Sequence, residues 1–221
     1  MYSLDFTVIA ARMPELLWGA AGTLLLAICG MALALVIGVG GVVLRQSRSS
    51  LLSTPVKVFV EVIRNTPFLV QIFFLFFALP YLGLRLNPTV TAVIALAING
   101  GAYAIEIIRG GVESVSHGQR EAGSALGLSS GQVFRFIVLK PAMRAIYPAL
   151  TAQFIMLTLT TSVCSSIAAF ELTSVAGRIE AETFRSFEVY FAITFIYLLI
   201  SWIVMLILKY VGGKFLFYPA K

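Results

Sequence analysis

The chain has 221 residues, 59% hydrophobic and 12% charged. Soluble domains carry about 25% charged residues, so this density excludes an ordinary soluble enzyme and puts most of the chain in a solvent where charge is costly. The net charge of +6 raises nucleic acid as a partner, but the cations sort by membrane side, as shown below, and no nucleic-acid partner is assigned.

A helix needs about 20 apolar residues to cross the hydrocarbon, and five such runs are predicted. Residues 1–15 hold Asp5, Arg12 and Glu15, with no Lys or Arg ahead of Asp5. The apolar run that follows is too long for a signal-peptide core, so it is read as a retained span. That first span, 16–44, is free of charge and repeats Gly30, Ala34 and Gly38 every four residues, a small-residue stripe for packing on another helix. The second, 55–79, takes Thr54 as N-cap and Pro55 at the first helical position. Lys57, Glu61 and Arg64 share one helix face. Arg64 lies ~13 Å beyond Pro55 at ~1.5 Å per residue. A charge that deep faces either a partner, with Glu61 in reach, or an aqueous pathway or gate. The step Asn65-Thr66-Pro67 can kink this helix and free backbone groups, and Gln71 follows it as a candidate pathway residue.

The third span, 89–108, brings Glu106 three residues from Arg109, a structural pair by spacing. The fourth, 146–170, carries Gln153, Thr158, Thr160, Thr161, Ser162, Ser165 and Ser166. Ser and Thr in membrane helices often bond their own backbone, yet seven polar residues within 14 positions favour a pathway-lining face, with Glu171 near its outer mouth. The fifth is 189–208. Cys29 and Cys164 sit in apolar runs and offer neither metal spacing nor a disulfide framework.

With the N-terminus outside, the inner side collects Arg45, Arg48, Lys57, Arg64, Arg109, Arg120, Arg135, Lys140, Arg144, Lys209, Lys214 and Lys221, 12 of the 16 cations. Arg12, Arg85, Arg178 and Arg185 fall outside, with six of the acids. Trp18 and Tyr81 fit an aromatic belt at the outer face. Arg178, Glu180, Glu182 and Arg185 form a charged outer segment, either merely solvated or a docking surface.

Most of the inner hydrophilic mass is the loop 109–144. Within it, Glu121 is followed by Ala122, Gly123 and Ala125, a small-sided stretch that lets another protein approach. Gly127 is a helix stop, and Ser129 or Ser130 caps a second helix. That helix carries Val133, Phe134, Phe136, Ile137 and Val138 and is expected to end at Pro141. An amphipathic helix in the interface accounts for the second half but not for Glu-Ala-Gly followed by Gly127. Gly127-Leu-Ser129-Ser-Gly131 matches a nucleophile elbow formally, but no strand precedes it and the only histidine, His117, lies upstream.

At these residues the sequence resembles the cytoplasmic "EAA" loop of bacterial ABC importer permeases, and specifically those for polar amino acids and opines. RNTPFLVQIFF (64–74), AYAIEIIRGGVESVSHGQ (102–119) and FELTSVAGRIEAETFRSFEVY (170–190) extend the likeness over nearly the whole chain. Two departures are visible: Gly123 replaces the third EAA residue, and Pro141 falls one position late.

The resemblance implies an all-α membrane protein in which 1–221 is one importer transmembrane domain. It has five helices, the N-terminus outside and a cytoplasmic coupling helix between helices 3 and 4. It implies that Glu121, Ala122, Gly123, Leu126 and Gly127 dock a separate ATPase that holds ATP and Mg, with no cofactor on this chain. It also implies a second permease, two ATPases, an extracytoplasmic binding protein and the bacterial inner membrane. Candidate pathway residues are Glu61, Arg64, Gln71, Glu106, Gln153, Thr158, Thr161, Ser162 and Ser165. No Gly-x-x-x-x-Gly-Lys-Ser/Thr occurs, so no nucleotide site is expected here. The rivals are a secondary amino-acid transporter, which calls for inverted repeats and midplane acids, and a non-transporting scaffold, which predicts no polar face in span four.

Overall fold

A computed structural model describes residues 4–216, and every regular element among them is helical. Lys221, counted above with the inner cations, lies outside the described residues. The order is α1 (Thr7–Ala11), α2 (Met13–Arg45), α3 (Ser50–Arg64), α4 (Phe68–Ala78), α5 (Pro88–Glu113), α6 (His117–Ala125), α7 (Ser130–Gln132), α8 (Leu139–Thr160), α9 (Leu172–Thr183) and α10 (Ser186–Phe215). Among the described residues, four stretches are long and apolar enough to cross a membrane: Met13–Arg45, Pro88–Glu113, Ser130–Ile167 and Ser186–Lys214. A fifth crossing exists only if α3 and α4 count as one broken span.

The small-residue stripe of α2 packs on α5. A Cβ built on Gly38 would stand 2.7 Å from the Ala104 Cβ, and one on Gly30 would stand 2.9 Å from the Leu96 Cβ. Gly100 answers from α5, 3.0 Å from the Ala34 Cβ by the same construction. Lipid gives little hydrophobic drive between apolar helices, so close backbone approach and its dispersion contacts hold the pair. α9 lies on the first half of α2, where the Leu172 N–H donates to Thr23 Oγ1 at 3.2 Å. The far end of α10 is held by α8: the Tyr147 hydroxyl donates to the Leu208 carbonyl at 2.6 Å, and its ring fills the space over Gly212.

Two boundaries differ from expectation, both at prolines. Pro55 does not open a helix and Thr54 is not its N-cap; α3 begins at Ser50, behind Ser49, and Pro55 lies inside it. The apolar residues Leu51 and Leu52 extend the helical face backwards past the proline. Pro141 does not end a helix either. The chain runs on from α7 through a π-helical turn, Val133–Val138, into α8. A proline ring crowds the carbonyl four residues back and brings no N–H. The wider π turn shifts that carbonyl, Ile137, out of the clash.

The predicted second span is likewise not one helix. It breaks after Arg64, and the axes of Ser50–Arg64 and Phe68–Leu82 are bent by 110°. The Asn65-Thr66-Pro67 step supplies the break, as its composition predicts.

Candidate functional site

The break exposes the last carbonyls of α3, which need new donors. Asn65 Nδ2 donates to the Glu61 carbonyl at 2.8 Å, and the Thr66 hydroxyl to the Val62 carbonyl at 2.8 Å. Gln71 closes the gap from the other side. Its amide nitrogen donates to the Ile63 carbonyl at 2.7 Å and reaches the Thr66 carbonyl and hydroxyl at 3.0 and 2.8 Å. Its oxygen accepts from Asn99 Nδ2 of α5 at 2.9 Å. Gln71 is thus the residue that clamps the α3–α4 bend to α5.

Beside the bend lies a polar cavity of about 460 Å³ lined by Arg45, Val60, Glu61, Arg64, Asn65, Tyr103 and Glu106. Glu106 is its hub. Arg45 donates to Glu106 Oε1, Arg109 to Oε2 at 2.9 Å, and Arg64 stands 3.8 Å from Oε2. Arg64 also lies over the Tyr103 ring at 5.3 Å. Three guanidiniums from α2, α3 and α5 therefore converge on one carboxylate. The expected Glu106–Arg109 pair is present but belongs to this larger cluster. Arg64 turns to Glu106 rather than to Glu61, and Lys57 and Glu61 form no ion pair among the described residues. Arg45, Tyr103 and Asn99 were missed as site residues. The i, i+3 spacing of Tyr103 and Glu106 was a local signal; Arg45 and Asn99 carried none.

The span-four residues do not line this cavity. Thr158 and Thr161 are fully buried and donate to the Phe154 and Thr158 carbonyls at 2.8 and 2.7 Å. Ser162 and Ser165 are half-buried and donate to the Leu159 and Ser162 carbonyls, both at 2.7 Å. Each hydroxyl proton is thereby committed to its own helix, although each oxygen can still accept. Gln153 is half-buried on α8. Glu171 does not sit at a mouth: it is fully buried and caps α9, accepting the Thr173 and Ser174 N–H groups and the Tyr197 hydroxyl at 2.8, 2.5 and 2.7 Å. Arg178 and Glu182 spend their charges tying α9 to the start of α2, in the pairs Arg178–Glu15 at 3.2 Å and Arg12–Glu182 at 2.8 Å.

A second site is the short helix α6. Gly127 ends it with φ +84°. The Gly127 N–H donates to the Ser124 carbonyl at 3.0 Å and the Leu128 N–H to the Gly123 carbonyl at 3.2 Å, a complete Schellman stop. Ser129 then caps the next helix in a capping box with Gln132. That cap is the role of the serine in the elbow-like motif. Glu121, Ala122, Ala125 and Leu126 are exposed, Leu126 by 81%. Gly123 faces the other way. A Cβ there would stand 2.3 Å from Ile137 Cδ1, so its small size serves packing inside this chain rather than approach from outside.

A bundle of long apolar helices of this kind, with the short helix α6 held between α5 and the α7–α8 segment, is the architecture of a transport permease. The profile of the binding-protein-dependent transport system inner membrane component family matches residues 30–216, and the chain belongs to that family. It is 39% identical over 207 residues to the glutamine transport system permease protein of Escherichia coli (strain K12), covering 93% of this chain and 94% of that one. It is 35% identical to the nopaline transport system permease protein of Agrobacterium fabrum (strain C58), with 91% and 88% covered. A crystal structure of an amino acid ABC transporter with histidines superposes with a TM-score of 0.91 at 30% identity over 96% of this chain and all of that one. The MetNI methionine ABC transporter shares the fold alone, at 20% identity and a TM-score of 0.72. The chain is accordingly a permease subunit and not an enzyme.

Proposed function

We propose that the chain, residues 1–221 as one transmembrane domain, is a permease of an ATP-driven, binding-protein-dependent amino-acid importer of the bacterial inner membrane. The named substrates of its relatives, glutamine and nopaline among them, support the substrate class. A second permease, identical or similar, completes the pathway. Two cytoplasmic ATPases carry ATP and Mg, and an extracytoplasmic binding protein delivers substrate.

The observation that carries this reading is the face of α6. A helix of nine residues is marginal alone, yet this one has a Schellman stop behind it and Gly123 packed beneath it. It holds out Glu121, Ala122, Ala125 and Leu126. A rigid face of one carboxylate, two alanines and a leucine on the cation-rich side suits a protein partner that pushes on it, and Gly127 sets where that face ends. Convergence of Arg45, Arg64 and Arg109 on Glu106 supports five crossings with the N-terminus outside. In this reading the ends of α2 and α3 meet at one carboxylate and the bent pair α3–α4 makes the second crossing. The pathway is assigned to Glu61, Arg64 and Glu106 at the cavity, Gln71 beside it, and Gln153, Thr158, Thr161, Ser162 and Ser165 of the fourth crossing.

The test is uptake of labelled glutamine into vesicles holding the permease, its ATPase and internal ATP, with the binding protein outside. Uptake that needs ATP and binding protein and survives a protonophore is expected. Uptake abolished by the protonophore and indifferent to ATP would establish the ion-driven transporter instead.

A further inference from the structure

We infer that Arg120 is a positioning residue that makes α6 and α5 one mechanical body; this rests on reading α6 as the helix that docks the ATPase. The link between the two helices is only Ser114, Val115 and Ser116. Such a link can bend, and a push on α6 would then be lost before reaching the bundle.

Arg120 spans that link. It is half-buried and donates back to the Val112 carbonyl in the last turn of α5. The four final carbonyls of a helix have no partners within it. Here the Ser114 N–H takes the Gly110 carbonyl at 3.0 Å, the Ser114 hydroxyl takes Gly111 at 2.7 Å, and Arg120 takes Val112. A cation at this position also meets the negative end of the α5 dipole. One turn on, along the same inner face of α6, Gly123 lies against Ile137 and Val133 of the π turn, while Val115 is buried with Val133, Val138 and Ala142. Apolar contact of that kind permits sliding. The guanidinium–carbonyl bond fixes angle and distance, so it sets the register of α6 on α5.

Beyond the bracket, α5 carries Arg109 and Glu106, one and two turns back from Val112. Glu106 in turn holds Arg45 of α2 and Arg64 at the α3–α4 bend. Displacement of α6 thus reaches the polar cavity through one rigid helix. Arg120 touches neither substrate nor nucleotide in this scheme; it acts through α5.

The experiment compares wild type, Arg120→Met and Arg120→Lys, each co-expressed with the ATPase and reconstituted in vesicles with binding protein. Three quantities are read: ATPase recovered with the permease, ATP hydrolysed, and glutamine taken up per ATP. Met keeps the apolar stem and loses the donors. Arg120→Met should recover ATPase as wild type does and hydrolyse ATP at a similar rate. Its uptake per ATP should fall roughly tenfold, the scale set by loss of one charged hydrogen bond. Arg120→Lys should regain most of the ratio. An unchanged ratio in Arg120→Met overturns the proposal, and so does loss of ATPase recovery, which would make Arg120 a docking contact. Failure of wild type to recover an ATPase would instead strike the functional reading beneath it.

Discussion

Replacing Gln71 by leucine keeps side-chain bulk and removes every side-chain hydrogen bond that Gln71 makes across the α3–α4 break. The amide has two protons and one oxygen, so of the four contacts seen it sustains three full hydrogen bonds at once. Hydrogen bonds between membrane helices average about 0.6 kcal/mol, with a maximum near 1.7, which gives about 2–3 kcal/mol for three. Part of that is the cost of leaving Asn99 without its acceptor. For a chain of this length ~1 kcal/mol corresponds to roughly 2–4 °C in Tm, so Gln71→Leu should melt about 4–12 °C lower in detergent. Asn99→Leu loses one bond and should melt only a few degrees lower, and the double variant should fall short of the sum because both changes remove the same bond. Thermal unfolding followed by fluorescence in one detergent measures all three. A Gln71→Leu melting point within a degree of wild type, or strict additivity in the double variant, would refute the claim that Gln71 clamps the bend.

The α2–α5 seam gives a paired comparison: Gly38→Ala drives a Cβ into Ala104, whereas Gly40→Ala meets nothing within 4 Å. Overpacking costs about 1–3 kcal/mol and helical Gly→Ala gains about 0.5–1, so Gly38→Ala should lower Tm and Gly40→Ala raise it. Gly127→Asp places a Cβ at φ +84° with open space around it, a backbone cost of about 1–2 kcal/mol, and adds a carboxylate at the negative end of α6. It should abolish uptake and ATPase recovery while the chain still inserts and folds, as read by size-exclusion profile. Glu106→Gln leaves Arg45, Arg64 and Arg109 facing one another without their carboxylate. Uptake should fall by an order of magnitude or more in the vesicle assay, whereas Glu61→Gln, which has no ion pair to lose, should fall less.

How far the fold could be read depended on whether the cause was local. The four unbroken spans follow from runs of apolar residues, and the seam of Gly30, Ala34 and Gly38 named its own packing face. Gly127 and Ser129 announce a stop and a start through their own backbone preferences. The break at Asn65-Thr66-Pro67 was legible as a kink. Its 110° angle was not, because Gln71 and Asn99 hold it from other helices. Pro55 and Pro141 misled for a shared reason. Local preference puts proline at a first turn or past an end, while α3 starts at Ser50, ahead of Pro55, and a π turn carries the helix into Pro141. The hydroxyls of span four look like a polar stripe in sequence, but each donates to a carbonyl three or four residues back, a choice set by helix geometry. Gly123 read as an opening for a partner, and the side chain that fills it, Ile137, arrives from beyond the next turn.

The claim on which the account rests is that the exposed face of α6 receives an ATPase, and Leu126 tests it most directly. At 81% exposure, Leu126→Glu removes no packing within this chain, and an exposed carboxylate at the end of α6 costs at most about 1 kcal/mol, so a complete loss of ATPase belongs to the partner. Wild type and Leu126→Glu, purified in parallel with their co-expressed ATPase, should have equal melting points for the permease alone. Only wild type should retain the ATPase and drive ATP-dependent uptake. If Leu126→Glu retains the ATPase and transports as wild type does, α6 is not the docking helix and the mechanism proposed for this permease is wrong.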